Sequence, residues 1–173
     1  MALGQEEVTK KAEAFLEERE EREEKEKHLL QVHGGTLVTL RANYPGPDKR
    51  QPHTDLVVEI LQEEVAKRIL VKKMVTHRGL EGLLLHFLTE EEGQKVKRAM
   101  VKLEEEHPLG RLVDIDVRDK NKVLSRVDFS QEPRKCYICS AQAQHCVRSV
   151  KHSYEEVVCF YKERVRRYVQ GTL

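Results

Sequence analysis

The sequence predicts one α+β domain in which helices flank a mixed β-sheet. Between residues 54 and 70, apolar side chains recur every four positions, which is typical of the buried face of a helix. Residues 36–40 are rich in apolar and β-branched side chains, and residues 113–117 alternate apolar with acidic ones, as half-buried strands do. With 173 residues, the chain is long enough for one sizeable core and short for two.

The predicted elements follow the order α-β-α-β-β-α-β-β-α. In chain order they are a helix over about 5–32, a strand at 36–40, a loop at 43–47, a helix over 54–70, strands around 70–77 and 83–88, a helix from residue 89 to a stop at 107–110, a hairpin of 111–118 and 122–128 around a turn at 119–121, and a helix from residue 153. Capping boxes are expected at Thr89 with Glu92 and at Ser153 with Glu156.

The N-terminal helix is highly charged and lacks an apolar face. Residues 1–27 contain ten glutamates and six lysines or arginines, and residues 17–28 contain no apolar side chain. Several glutamates precede a basic residue by four positions, which stabilises a helix without requiring a core. We therefore divide the single domain into a charged N-terminal helix, 1–33, that packs on little, and an α+β core, 34–173, expected to carry the chemistry.

The composition argues against a membrane protein or a nucleic-acid-binding protein. No apolar run approaches the roughly 20 residues that a membrane span needs. The formal net charge is only +1, whereas nucleic-acid-binding domains normally carry a basic excess. The first residues lack the basic and apolar regions of a secretory signal, so we expect a cytoplasmic protein. Residues 108–173 hold thirteen basic and eight acidic residues, which favours a compact polyanion such as a triphosphate as ligand.

The segment 107–117 is the most informative for chemistry. If it forms a strand, Asp114 and Asp116 project from one face, and two adjacent carboxylates are best tolerated with a cation between them. Such oxygen ligands suit Mg²⁺, which completes its shell with water and substrate phosphates. Gly110 would let the chain approach a ligand closely, and Arg111 offers a planar fork for phosphate oxygens. Two solvated acids on an exposed strand are the alternative.

Further candidates for this chemistry lie nearby in the sequence. Asp128, on the predicted partner strand, is a candidate third metal ligand, with a turn residue as the alternative. His107, His145 and His152 are candidate general bases, because histidine titrates near neutral pH, and their spacing does not choose among them.

Several segments together resemble the citrate lyase holo-[acyl-carrier-protein] synthase family, also called the apo-citrate lyase phosphoribosyl-dephospho-CoA transferases. They are R-x-E-R at 19–22, Y-P-G-P-x-K at 44–49, G-L-E-G-L-L at 79–84, H-P-L-G-R-L-V-D-I-D-V at 107–117, L-S-R at 124–126, P-R-K-C-Y-I-C at 133–139 and C-V-R-S at 146–149, followed by His152. The resemblance covers most of the chain, and its motifs occur in the family's order.

The resemblance implies a transfer reaction. A serine of the citrate lyase acyl carrier protein, its γ subunit, attacks the α-phosphorus of 2′-(5″-triphosphoribosyl)-3′-dephospho-CoA, and diphosphate leaves. The resemblance further implies that Asp114 and Asp116 hold Mg²⁺ and that Arg111 and Lys49 orient phosphates. The implied substrate-binding set also includes Arg19, Arg22, Gly110 and Arg134. For the arginines of the N-terminal helix, ordinary surface ion pairing is the alternative.

The acid pair is also similar to the motif of the nucleotidyltransferase superfold. That superfold usually carries a Gly-Ser pair on a turn before the acids, whereas here H-P-L-G abuts them directly. A nucleotidyltransferase-like sheet is therefore one form of the expected α+β architecture.

A cysteine cluster follows the acid pair. Cys136-x2-Cys139-x6-Cys146-x5-His152 has the ligand types and number of a structural zinc site, with His145 as an alternative fourth ligand. Buried small thiols without metal are the alternative. Cys159, on the last helix, is predicted to be a core residue.

Two other functions compete with the transferase. A non-catalytic, zinc-stabilised interaction module would bind zinc and be indifferent to Mg²⁺, but it leaves the acid pair unexplained. A related nucleotidyltransferase could act on another acyl carrier protein, such as that of malonate decarboxylase. The segments around the acid pair and the cysteines favour citrate lyase.

Overall fold

A computed structural model describes residues 5–45, 48–120, 122–129 and 132–173. The helices are α1 (Gln5–His33), α2 (Pro52–Arg68), α3 (Gly93–Glu106), α4 (Ala143–Arg148) and α5 (Tyr154–Val169), and the strands are β1 (Thr36–Ala42), β2 (Lys73–Gly79), β3 (Gly82–Thr89), β4 (Val113–Arg118) and β5 (Val123–Leu124). The strands form one sheet in the order β2-β3-β1-β4-β5.

The predicted α+β class is confirmed, but the sheet is not mixed. Every pairing between its five described strands is antiparallel. β1 and β2, which α2 connects, do run in the same direction. They do not pair with each other because β3 lies between them.

The predicted order of elements holds, with differences at several boundaries. The second strand of the predicted 111–128 hairpin is shorter than expected, because β5 has two residues and a 3₁₀ turn follows at Val127–Phe129. α4 was not predicted. Gly46 and Pro47 of the predicted loop, and Asn121 of the predicted turn, lie outside the described residues.

One predicted capping box forms and the other does not. Ser153 Oγ accepts a hydrogen bond from Glu156 N at 3.1 Å, and Glu156 Oε2 accepts one from Ser153 N at 2.7 Å, so α5 begins as predicted. α3 begins later than expected, with Glu92 at its N-cap, because Thr89 is still the last residue of β3.

The main core lies on one face of the sheet, beneath α2, α3 and α5. Alternation in β4 buries Val113, Ile115 and Val117 on this face. Tyr161 of α5 is fully buried among them and donates from its hydroxyl to Leu112 O at 3.2 Å. The acidic residues of β4 consequently point to the opposite face.

That opposite face is crossed by α1, so the prediction that this helix packs on little is wrong. Leu30 is buried against Leu37 and Leu88, near the C-terminal end of α1. Further along, the packing is polar: Glu26 is 7% exposed, and its Oε1 accepts a hydrogen bond from Thr39 Oγ1 at 2.9 Å. A helix without an apolar stripe thus docks through side chains that hydrogen-bond to the sheet. No helix of the described residues has the length and apolar character needed to cross a membrane.

Side chains of α3 satisfy the edge of β4 that β5 leaves unpaired. Lys97 Nζ donates to Ile115 O at 3.2 Å, and Glu104 Oε1 accepts from Ile115 N at 3.2 Å. Both side chains are buried. They replace the backbone partners that a longer β5 would have supplied.

Candidate active site

Asp114 and Asp116 project from the same face of β4, as the alternating pattern predicts. Their side chains are 25% and 47% exposed, so both carboxylates reach solvent. They line a cavity of about 670 Å³ along β4, which we name the acidic cavity. Asn43, Arg134 and Arg148 also line it.

Arg41 of β1 lies next to both carboxylates. It is in register with Asp114, and its Nη2 is 3.4 Å from Asp114 Oδ2 and 3.6 Å from Asp116 Oδ2. Burial by itself would lower the pKa of Arg41, but the two aspartates raise it overall. The guanidinium therefore stays charged and offsets the repulsion between the carboxylates. Arg41 was not predicted as a site residue, although a charged residue near the end of an otherwise apolar strand is a signal for one.

A buried carboxylate, Glu81, holds Arg41 in place. Glu81 Oε1 accepts a hydrogen bond from Arg41 Nη1 at 3.1 Å, and Glu81 Oε2 lies 3.2 Å from Arg22 Nε. Glu81 lies on the turn between β2 and β3. The carboxylate of Glu18 in α1 holds this turn by accepting hydrogen bonds from Leu80 N at 2.7 Å and from Glu81 N at 3.0 Å. Two charged residues of α1 thus support the site.

Lys49 and Arg19 place further positive charge near Arg41. The pKa of Lys49 is lowered, first by burial and then by the charge of Arg41, with a smaller effect from Arg19. Arg19 is exposed, whereas Arg22 is engaged with Glu81. Arg22, Lys49 and Glu81, from three separate segments of the family resemblance, therefore lie around Arg41.

Arg134 approaches the acid pair from the segment after β5. Its Nη1 donates to Asp114 Oδ1, and its Nη2 donates to Glu104 Oε1 and, at 3.2 Å, to Val113 O. Burial opposes its charge, but Glu104 and Asp114 raise the pKa of Arg134 overall. Glu104, which also accepts from Arg126 Nη2 at 2.6 Å, was missed by sequence analysis. An acidic residue directly after Leu103 on the buried face of α3 is the signal that marks it.

Arg111 and Gly110 lie on a 3₁₀ turn, Gly110–Leu112, directly before β4. Arg111 lines a second cavity, of about 390 Å³, beside the cysteine cluster. Its Nε is buried and has no hydrogen-bond partner among the described residues. Burial, followed by the charge of Arg134, lowers the pKa of Arg111. Gly110 is buried, and a Cβ there would lie 2.5 Å from Leu103 O, so packing against α3 accounts for this glycine without a ligand.

Asp128 does not join the acid pair, because it lies on the 3₁₀ turn after β5 and not on a strand. Its carboxylate accepts hydrogen bonds from Lys122 Nζ at 2.6 Å and from Ser125 N at 2.7 Å. These contacts, Lys122 first, lower the pKa of Asp128 to about 2. Asp128 therefore caps a local turn.

The three candidate bases are also placed elsewhere. His107 Nδ1 accepts from Leu109 N at 3.0 Å, and its Nε2 lies 3.4 Å from Tyr168 Oη. His145 is exposed on α4, and His152 belongs to the cysteine cluster. None of these three described histidines lines the acidic cavity.

The cysteine cluster converges as its spacing predicts. One potential ligand atom from each of Cys136, Cys139, Cys146 and His152 lies within 4.8 Å of the others, an arrangement that can hold a metal ion. A backbone hydrogen bond from Ala141, and next the contact with His152, lower the pKa of Cys139 to about 6. Burial raises the pKa of Cys146 to about 11.

Two predictions next to this cluster are settled by exposure. His145, the alternative fourth ligand, is exposed and is not one of the cluster's four members. Cys159 is exposed on α5, so the prediction that it is a core residue is wrong. The apolar positions of α5 pack through Tyr161 and Val165 instead.

The model of the apo-citrate lyase phosphoribosyl-dephospho-CoA transferase family matches residues 10–168. The chain belongs to this family. The match includes every residue placed around Arg41 and the acid pair, and the whole cysteine cluster. The segments on which the resemblance rests therefore all lie within the matched range.

Individual relatives agree with the family match. A protein of Streptococcus pyogenes serotype M18 named probable apo-citrate lyase phosphoribosyl-dephospho-CoA transferase is 34% identical over 154 residues, covering 83% of this chain and 79% of its own length. A Vibrio cholerae protein of the same name is 30% identical over 148 residues, covering 80% and 82%. The Protein CitXG of Leuconostoc mesenteroides is 34% identical over 148 residues, which form 32% of that longer protein.

Proposed function

We propose that this protein transfers a prosthetic group from 2′-(5″-triphosphoribosyl)-3′-dephospho-CoA to a serine of the citrate lyase acyl carrier protein. The serine oxygen forms a bond to the α-phosphorus, the bond from that phosphorus to the oxygen bridging to the β-phosphate breaks, and diphosphate leaves. The serine proton is released to solvent. The names of the relatives support this reaction, and the residues around Asp114 and Asp116 support its chemistry.

The observation that carries the proposal is the acid pair on the wall of the acidic cavity, next to Arg41 and Arg134. Phosphoryl-type transfer needs little covalent chemistry from the protein, and depends on positioning and on compensation of charge. A triphosphate carries several negative charges, and fixed guanidinium groups bind phosphate oxygens in a bidentate geometry. The two carboxylates alone would repel such a ligand. The cationic side chains beside them offset this repulsion.

The acid pair fits Mg²⁺. Its partly exposed carboxylates lie two residues apart on one strand face, and hard oxygen donors of this kind, completed by water and phosphate, are what Mg²⁺ prefers. In this proposal Asp114 and Asp116 hold the ion. When bound, Mg²⁺ would supply positive charge that offsets the negative charge developing on the leaving diphosphate.

The chain's own residues have distinct tasks. Arg41 is held by Glu81 so that its guanidinium stays beside the carboxylates when substrate enters. Arg134, held by Glu104, faces the same cavity and is placed to bind a phosphate. Lys49 and the exposed Arg19 extend the positive charge from Arg41.

Arg111 has a separate task in this proposal. It forms no ion pair with a carboxylate of the described residues, which leaves its guanidinium available to an anionic part of the substrate in the second cavity. Arg134 lines both cavities and connects them.

The cysteine cluster is a second, separate place where a metal ion could bind. Thiolate and imidazole ligands suit Zn²⁺ and not Mg²⁺, so we assign no part in transfer to an ion there. Three basic residues on the outer surface nearby, Lys135, Arg148 and Lys151, are exposed. They offer an acidic carrier protein a complementary surface beside the cavity.

Transfer to purified apo carrier protein tests the proposal. The carrier's intact mass would be followed with the triphosphoribosyl precursor, with and without added Mg²⁺, for wild type, Asp114→Asn and Asp116→Asn. We expect a Mg²⁺-dependent mass gain in wild type and a reduction of at least about 10²-fold in each variant, because a charge-stabilising group has been removed from the transition state.

Asp128→Asn is the matched control, since this carboxylate contacts Lys122 and Ser125 and not the acid pair. It should retain transfer with unchanged Mg²⁺ dependence. Transfer that survives both Asp114→Asn and Asp116→Asn would keep the function and overturn the metal assignment. No mass gain on the citrate lyase carrier, with gain on the malonate decarboxylase carrier, would overturn the choice of partner.

A further inference from the structure

The segment that carries Arg134 has no apolar core of its own. Residues 132–152, which we name the cysteine arm, leave β5 and return to α5. Three of the arm's large apolar side chains, Ile138, Val147 and Val150, are 39%, 76% and 77% exposed. Tyr137 packs against the main core, but these three side chains add little hydrophobic burial to the rest of the arm.

The side chains that do converge within the arm are metal ligands. Cys139 Sγ lies 3.6 Å from Cys146 Sγ and 3.4 Å from His152 Nε2. In a tetrahedral zinc site with Zn–S of about 2.3 Å and Zn–N of about 2.05 Å, the ligand atoms lie about 3.8 Å apart for two sulfurs and about 3.6 Å apart for sulfur and nitrogen. The observed separations match these edges within a few tenths of an ångström.

The backbone around the first two cysteines forms a turn that suits such a site. Cys136 N donates to Ala141 O at 2.7 Å, and Ile138 N donates to Cys136 Sγ at 3.5 Å. Between Cys146 and His152, Val150 has a φ of 47°, a left-handed conformation that costs energy for a β-branched residue. Closure of the chain between two metal ligands would offset this cost.

We propose that Cys136, Cys139, Cys146 and His152 bind one Zn²⁺ ion in a closed tetrahedral site that holds the cysteine arm in shape. Four protein ligands leave no open position, which identifies the ion as structural and not catalytic. A disulfide is the competing use of these thiols, but all four cysteines are free, and a bond between two sulfurs needs about 2.05 Å.

The site has a consequence for the acid pair. Arg134 lies two residues before Cys136, and its carbonyl oxygen accepts a hydrogen bond from Ala143 N at 2.8 Å, inside the arm. Tyr137, one residue after Cys136, donates from its hydroxyl to Asn43 O at 2.6 Å, and its ring stacks on Phe160 of α5. These two contacts attach the arm to the segment after β1 and to α5. Zn²⁺ thus positions Arg134 through the arm. This last step rests on the proposed function, whereas zinc binding itself does not.

Metal analysis of the full-length protein tests the site. Wild type and variants would be produced in zinc-supplemented medium, purified under reducing conditions and analysed by inductively coupled plasma mass spectrometry. We expect about one zinc ion per chain in wild type and less than about a tenth of that in Cys136→Ser. His152→Cys should retain zinc, because four thiolates also form a tetrahedral site.

Cys159→Ser is the matched control, since Cys159 is an exposed cysteine outside the cluster. It should keep the zinc content of wild type. Wild-type protein that contains no zinc, and that gives no thiolate-to-cobalt charge-transfer band on titration with Co²⁺, would overturn the proposal. Equal zinc in wild type and Cys136→Ser, or loss of zinc in Cys159→Ser, would overturn it as well.

Limited trypsin digestion tests the structural role on wild-type protein alone, without any substitution. After removal of zinc by a chelator, cleavage at Lys135, Arg148 or Lys151 should become at least about tenfold faster, and zinc should restore protection. Equal cleavage with and without bound zinc would refute the role in holding the arm. Neither measurement depends on transfer activity, so failure of the proposed function would be recognised separately.

Discussion

Glu81 Oε1 accepts a hydrogen bond from Arg41 Nη1 at 3.1 Å, and the Glu81 side chain is only 1% exposed. Replacing Glu81 with Gln removes this buried charge and leaves two guanidinium groups, of Arg41 and Arg22, without their shared anion. Loss of one member of a buried ion pair typically costs about 3 kcal/mol or more. We expect a loss of about 3 kcal/mol in the free energy of unfolding, measured by urea denaturation.

Glu163→Gln is the control for this measurement. Glu163 pairs with Arg166 on the surface of α5, where both side chains are about half exposed, so no measurable change in stability is expected. A Glu81→Gln protein as stable as Glu163→Gln would show that the charge of Glu81 is not needed by the arginines around it.

The contact between Glu18 and the β2–β3 turn predicts a local change in dynamics. Glu18→Ala leaves the amides of Leu80 and Glu81 without their acceptors, because both donate to this carboxylate. We expect hydrogen exchange of these two amides to become about tenfold faster, corresponding to about 1.4 kcal/mol per lost interaction. Glu17→Ala, at an exposed neighbouring position of α1, should leave both rates unchanged.

His86 predicts a pH dependence of stability. Burial, followed by the charge of Arg22, lowers the pKa of His86 to about 4 from 6.5. Because the unfolded chain then binds the proton more readily than the folded one, stability present above pH 6.5 is lost as the pH falls towards 4. This group alone accounts for about 3 kcal/mol over that range. The measurement is the urea midpoint as a function of pH.

The neighbouring Glu26 acts with the opposite sign, since burial raises its pKa and the folded state takes up its proton first as the pH falls. The contribution of His86 is therefore isolated by comparing wild type with His86→Gln, which should lose less stability on acidification. His28→Gln, at an exposed position of α1, should follow wild type. If all three proteins lose stability in parallel, the buried imidazole is not the cause.

Arg134→Lys tests whether the shape of the guanidinium matters in addition to its charge. Arg134 binds Asp114 and Glu104 through two different nitrogens. A lysine has a single ammonium nitrogen on a shorter side chain and does not reproduce both contacts. We expect transfer to fall by at least about tenfold in kcat/KM at saturating Mg²⁺. Arg166→Lys, at an exposed position of α5 where Arg166 pairs with Glu163, should stay within about twofold of wild type, and equal losses in the two variants would show that the effect is not specific to the guanidinium of Arg134.

Periodicity was sufficient to predict much of the sheet and the orientation of the acid pair. The alternation over residues 113–117 reflects burial of one strand face, because buried positions carry apolar residues and exposed positions carry polar ones. The spacing of Cys136, Cys139, Cys146 and His152 likewise predicted a cluster, because short loops keep such ligands close. Both predictions depend on local sequence alone.

The supporting shell of the acid pair depends on contacts between distant segments. Arg41 and Glu81 are 40 residues apart, and Glu104 and Arg134 are 30 apart, so neither partnership has a local pattern. The docking of α1 was missed for a similar reason. A hydrophobic pattern indicates only apolar packing. It does not reveal a helix that packs through a polar side chain such as Glu26, which is buried and accepts a hydrogen bond from Thr39.

The α3 side chains along β4 also limit which further strands can pair with this sheet. An unpaired strand edge can recruit a strand of another chain, which leads to aggregation or to docking by strand addition. At Ile115 the donor and the acceptor are already occupied by Glu104 and Lys97. A strand of another chain therefore cannot pair with the backbone at Ile115, and the transferase is protected there against self-association.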